Sequence, residues 1–80
     1  IYVPFNDTLT TTIDSTTFSP AIRGTSLFAN QSVKIKINNS EWDYLLANDI
    51  LGLDNSFLVT KIVYQCWGTT PGRIYIRGIR

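Results

Sequence analysis

The strongest constraint on this fold lies in residues 57–79. In Ile62-Val63-Tyr64-Gln65-Cys66-Trp67, and again in Arg73-Ile74-Tyr75-Ile76-Arg77, every second residue belongs to one apolar set. A period of two is the signature of a β-strand with one face turned to a core. Gly68-Thr69-Thr70-Pro71-Gly72 lies between the runs. Proline presets φ and glycine accepts φ > 0, so this segment is read as a turn. Together the two runs predict a C-terminal β-hairpin, about 57–67 and 73–79. Pairing them about Thr70 sets Trp67 opposite Arg73, Gln65 opposite Tyr75 and Val63 opposite Arg77. Ile62, Tyr64, Cys66, Ile74 and Ile76 then share the core face. Lys61, Gln65, Trp67, Arg73, Tyr75 and Arg77 share the other. A slip of one residue would bury two arginines, which fixes the register.

Upstream, Val33, Ile35 and Ile37 alternate with Lys34 and Lys36, which predicts a half-buried strand ended by Asn38-Asn39. The next segment reads as a helix over about 41–51. Ser40 is a suitable N-cap, and Glu41 and Asp43 suit the positive end of a helix dipole. Trp42, Leu45, Leu46 and Ile50 fall at helical spacing, and Gly52 is a C-terminal stop. Residues 1–8 read as an extended arm and Leu9–Ile13 as a strand within a threonine-rich stretch. Ser19-Pro20 and Arg23-Gly24 read as breaks. The expected fold is a β-rich α+β domain spanning 1–80, a small antiparallel sheet with one helix packed on one face.

Eighty residues make one domain and leave no room for a separate cofactor domain. The chain has no histidine and one cysteine, Cys66. That removes histidine-based catalysis, makes a zinc site a poor fit and forbids an internal disulfide. Cys66 is expected as a buried thiol. No glycine-rich phosphate loop, calcium-loop spacing or paired carboxylates occur, so the expectation is a non-enzyme with no cofactor and no metal. A net charge of +1 gives no general case for nucleic acid, and no apolar run approaches the length of a membrane span. The absence of methionine is consistent with a processed chain. Three N-x-S/T sequons begin at Asn6, Asn30 and Asn38.

Chemistry then points to the polar hairpin face. The rings of Trp67 and Tyr75, with Gln65, Arg73, Arg77 and Lys61, suit a cell-surface carbohydrate, whose C–H faces pack on aromatic rings while hydroxyls take hydrogen bonds. The same side chains are common anchors at protein interfaces. Charge is also divided along the chain. Glu41, Asp43, Asp49 and Asp54 cluster, and no acid follows Asp54. Such a division allows charge matching in an assembly. A small core without a disulfide makes a homo-oligomer or a parent assembly the expected partner.

The run Val63–Arg77 and the Thr/Asn/Gly-rich, cysteine-poor composition resemble a bacteriophage tail-fibre or spike tip, the receptor-binding head. The resemblance implies a β-rich host-recognition module at a virion surface or outside the cell, and it fixes no functional residues. The alternative is a secreted toxin, or toxin subunit, released by proteolysis.

Overall fold

The computed structural model describes residues Ile1–Arg80 and is built from strands alone. These are β1 (Tyr2–Leu9), β2 (Asp14–Ala29), β3 (Val33–Ile37), β4 (Asp43–Leu45), β5 (Ile50–Gly52), β6 (Val59–Cys66) and β7 (Gly72–Ile79). All neighbouring strands are antiparallel, in the order β1-β7-β2-β6-β3-β4, with β5 added beside β2. The long strand β2 serves two layers. Its first half pairs with β6, and its second half pairs with β7 on one side and β5 on the other. The first layer is therefore β1, β7, late β2 and β5. The second is early β2, β6, β3 and β4.

The alternation that defined the strands also defines the core. Ile62, Tyr64 and Cys66 point inward from β6, Ile74 and Ile76 from β7, and Val33 and Ile35 from β3. With Leu9, Phe18, Ile22, Leu27, Ala29 and Val59 they form one buried cluster between the layers. Burying a large aliphatic side chain contributes about 1.5–3 kcal/mol, so this cluster is the main stabilising term.

The predicted hairpin is not formed. β6 pairs with β2 and β3, and β7 pairs with β1 and β2. Residues 67–71 carry the chain from one layer to the other instead of turning it back beside itself. The reason is the number of apolar faces to be covered. An all-β chain has no helix to shield its sheet, so the apolar faces of β6 and β7 bury against each other across the core. The burial alternation is the same in both arrangements; only the neighbours differ.

The predicted helix at 41–51 is absent, so the fold is all-β rather than α+β. Asn48 takes φ +67°, which interrupts any helix there. A segment this short has little autonomous helical stability, and the free edges of β3 and β2 offer it strand partners instead. Leu45, Leu51 and Leu53 pack partly against the core, while Leu46 and Ile50 are exposed. Ser40 serves a turn: its hydroxyl accepts from Ile37 N (3.0 Å) and donates to Glu41 O (3.0 Å).

Residues 1–8 are not a free arm, because Tyr2–Leu9 pairs with β7 along its whole length. Ser19-Pro20 and Arg23-Gly24 lie inside β2 rather than ending it. The pairing shifts between Arg23 and Ser26, around Gly24 at φ +57°. A glycine in that conformation fits a bulge that redirects a strand from one layer to the next. The strand expected over Leu9–Ile13 is not formed: Leu9 ends β1, and residues 10–13 form the β1–β2 connection.

One polar tie crosses between the layers. Tyr64 of β6 donates its hydroxyl to Asp7 Oδ2 of β1 at 2.5 Å, and Thr8 N donates to Asp7 Oδ1 at 2.8 Å. The Tyr64 hydroxyl holds the Asp7 carboxyl below the usual carboxylate range. Burial, and then the Asp7 carboxylate, push the Tyr64 phenol upward. A depressed acid stabilises the fold above its unfolded pKa, and that contribution fades as pH falls through the folded value. The raised phenol acts in the other direction, contributing below its ordinary pKa and fading as pH climbs beyond it. Tyr64→Phe is therefore expected to flatten the fall in stability between about pH 5 and pH 2. Urea unfolding at several pH values checks this; parallel profiles for the two proteins would contradict the tie.

Candidate functional site: two opposed polar faces

Since β6 and β7 turn their apolar sides to one core from different layers, their polar sides point away from each other. The six residues predicted to share a face are thereby divided. Lys61, Gln65 and Trp67 belong to the outside of the second layer, and Arg73, Tyr75 and Arg77 to the outside of the first. Trp67 does not pair with Arg73, and Gln65 does not pair with Tyr75.

The second layer gathers all three lysines. Lys34 and Lys36 stand on β3, with Lys34 opposite Gln65 and Lys36 opposite Val63, and Lys61 lies further along β6. Beyond β3, Tyr44 of β4 sits opposite Lys34. The Tyr44 and Trp67 rings meet above the sheet at 4.9 Å between centroids and a 49° tilt. Each remains about half exposed, at 50% and 56%. Lys34 Nζ and Lys36 Nζ lie 4.6 and 4.8 Å from the centroid of Trp42. Such cation–π contacts stabilise by about 0.5–1 kcal/mol each at exposed sites and hold both ammonium groups in place.

Gln65 is held by the chain itself. Its Nε2 donates to Thr11 O at 2.5 Å, and Cys66 N donates to Thr10 O at 2.7 Å, so β6 fastens the β1–β2 connection. The Gln65 Oε1 is buried without a partner. Trp42 and Tyr44 were missed as site residues because the helical reading placed both on the wrong element. Alternation with Val33, Ile35 and Ile37 marks Lys34 and Lys36 as strand residues but names no functional partner. Their signal was present: two lysines at i, i+2, followed by two aromatics at i, i+2.

The first layer gathers the arginines. Arg73 and Arg77 extend from β7, Arg23 lies opposite Ile79, and Arg80 follows the strand. Arg73 Nε donates to Asn6 Oδ1 (3.1 Å) and Nη1 to Thr8 Oγ1 (3.4 Å), so the guanidinium is positioned by neutral oxygens. Tyr75 stacks on Phe28, with centroids 4.9 Å apart and planes 15° from parallel. Nearly parallel rings this close must overlap, so each covers one face of the other.

The sequon asparagines act structurally. Asn6 and Asn30 accept hydrogen bonds from Arg73, and Asn38 accepts from Thr60 N. Cys66 is a buried free thiol whose Sγ donates to Thr70 O at 3.1 Å, closing the loop between the layers. Neither face has a pocket, and no cluster of His, Cys, Asp or Glu has metal-binding geometry. No helix is long and apolar enough to cross a membrane. Comparison with family models, curated proteins and solved structures finds no match to this chain.

Proposed function

We propose that this chain is a non-enzymatic recognition module of a virion or extracellular assembly, and that it contacts a surface glycan through the outer face of its second layer. The observation that carries the reading is the convergence of Trp42, Tyr44 and Trp67 with Lys34 and Lys36 on one open sheet face. Half-exposed rings offer surface to the C–H faces of a sugar. The neighbouring ammonium groups donate to hydroxyls or carboxylates. An open face suits a polymer or a cell surface better than a small substrate, which needs a cavity to bury most of its area. Lys61 extends the same face, and Gln65 holds its backbone in place.

Screening the chain against immobilised glycans tests the reading. Trp67→Ala is expected to weaken binding at least about tenfold, equivalent to about 1.4 kcal/mol. Trp67 is exposed, so this variant should remain folded. Arg77→Ala, on the opposite layer, is expected to leave glycan binding unchanged. Wild-type protein that retains no glycan, or a Trp67→Ala variant that binds as well as wild type, would overturn the assignment.

A further inference from the structure

The outside of the first layer carries charge in an ordered way. Its strands run β1, β7, late β2, β5. The β7 column presents Arg73 and Arg77. The centre is apolar: Tyr75 pairs with Phe28, and Phe28 pairs with Ile50, which is 73% exposed. At the far side β5 is flanked by Asp49 and Asp54, both exposed. Arginines thus lie along the β7 column, acids flank the β5 column, and an apolar row, Tyr75–Phe28–Ile50, crosses from one to the other. Adjacent strands are about 4.8 Å apart, so the basic and acidic columns lie roughly 10 Å from each other.

We infer that this face is the interface of a two-fold dimer, with a second copy of the chain as its occupant. In such an interface the same patch meets itself, so it must be self-complementary. A two-fold axis running along the strands, between the facing layers, exchanges the basic and acidic columns. Arg73 and Arg77 of one copy then face the β5 side of the other, and the Phe28–Tyr75–Ile50 ridges meet at the centre. The 34 and 21 Å extents of the whole chain cap this face at roughly 700 Å², below the ~800 Å² per partner of a standard interface, so the dimer is expected to be a weak, reversible one.

The same geometry disfavours other occupants. Phe28 and Tyr75 each cover one face of the other, which leaves a single face of each ring for a sugar or a nucleobase to stack on. Extension of the sheet through β1 is also disfavoured. Ile1 and Arg80 exchange both backbone hydrogen bonds, so residues 2, 4, 6 and 8 direct their backbone groups to the free edge. Pro4 has no N–H there, and the Thr8 N–H is taken by Asp7. That edge is blunted against pairing.

Sedimentation equilibrium on the whole chain tests the inference. At low salt the wild type is expected to show a monomer–dimer equilibrium that weakens as salt rises. Arg77→Glu places like charges at both symmetric contacts and should weaken dimerisation about tenfold or more. Ile50→Lys should do the same. Adding Asp54→Arg to Arg77→Glu exchanges the charges of one arginine and one aspartate at each symmetric contact and should restore the affinity. All three residues concerned, Arg77, Ile50 and Asp54, are exposed, and an unchanged circular dichroism spectrum verifies folding. A wild type that stays monomeric to about 1 mM, a free energy of about −4 kcal/mol, would overturn the inference. So would a dimer insensitive to Arg77→Glu, or a double variant no tighter than the single one.

Discussion

Replacing Asn38 by alanine is expected to destabilise the fold by about 3 kcal/mol, among the largest effects of any change at a residue outside the core. Asn38 follows β3 at φ +57°, a conformation that asparagine adopts more readily than alanine. Its Oδ1 accepts from Thr60 N at 2.8 Å, Thr60 Oγ1 at 3.0 Å and Lys61 N at 3.4 Å. Its Nδ2 donates to Leu58 O at 3.1 Å, and its backbone N to Lys61 O at 2.7 Å. One side chain therefore joins the exit of β3 to the entry of β6, twenty residues later. Alanine loses the side-chain bonds and adds backbone strain. Asn38→Gly separates these two causes, because glycine adopts the same φ freely while still losing the bonds. Chemical denaturation should rank wild type above Asn38→Gly, and Asn38→Gly above Asn38→Ala. Equal stability of wild type and Asn38→Ala would show that the knot contributes nothing.

Gly78→Ala should destabilise by about 2 kcal/mol, the reverse of the usual effect of such a change. Where space allows, replacing glycine by alanine restricts the unfolded chain and stabilises by about 0.4–1 kcal/mol. At Gly78 the added Cβ would stand 2.8 Å from Ile22 Cδ1, 3.0 Å from Ile22 Cβ and 3.1 Å from Arg23 O. Ile22 is fully buried and the Arg23 carbonyl belongs to the backbone, so neither can withdraw cheaply. The contact lies where β7 crosses β2 near the bulge at Gly24. Gly68 supplies the control, having no atom within 4 Å of its Cβ position. Thermal unfolding should show a lower midpoint for Gly78→Ala and an unchanged or higher one for Gly68→Ala. A stabilised Gly78→Ala would mean that β7 does not approach β2 this closely.

These two positions also show what the sequence could convey. Period-two alternation identified the inward residues of β3, β6 and β7 because burial depends on which side of its own strand a residue occupies. Val33, Ile35, Ile62, Tyr64, Cys66, Ile74 and Ile76 are all buried as that pattern requires. Alternation carries no information about which strand lies alongside. The same pattern serves a hairpin, where β6 and β7 are neighbours, and a two-layer packing, where they oppose each other. A hairpin would set Trp67 beside Arg73 and fuse two surfaces into one. The 41–51 segment departs from its helical spacing for a related reason. Its apolar spacing fits a helix, whereas its conformation is set by the distant strand edges of β3 and β2. The local signs against a helix were the Asn48-Asp49 pair and the period-two spacing of Leu51 and Leu53.

The placement of β6 and β7 in different layers underlies both the glycan face and the dimer face. It is tested most directly by the Hα–Hα cross-peaks in a nuclear Overhauser spectrum of the chain. Asn6 and Tyr75 are opposite one another in β1 and β7, as a pair whose hydrogen-bonding groups point outward from the β1–β7 ladder. A strong cross-peak between the Hα protons of Asn6 and Tyr75, with none linking Gln65 to Tyr75, is the predicted result. Contacts joining Gln65 to Tyr75 and Val63 to Arg77 would instead establish the hairpin and contradict the two-faced arrangement.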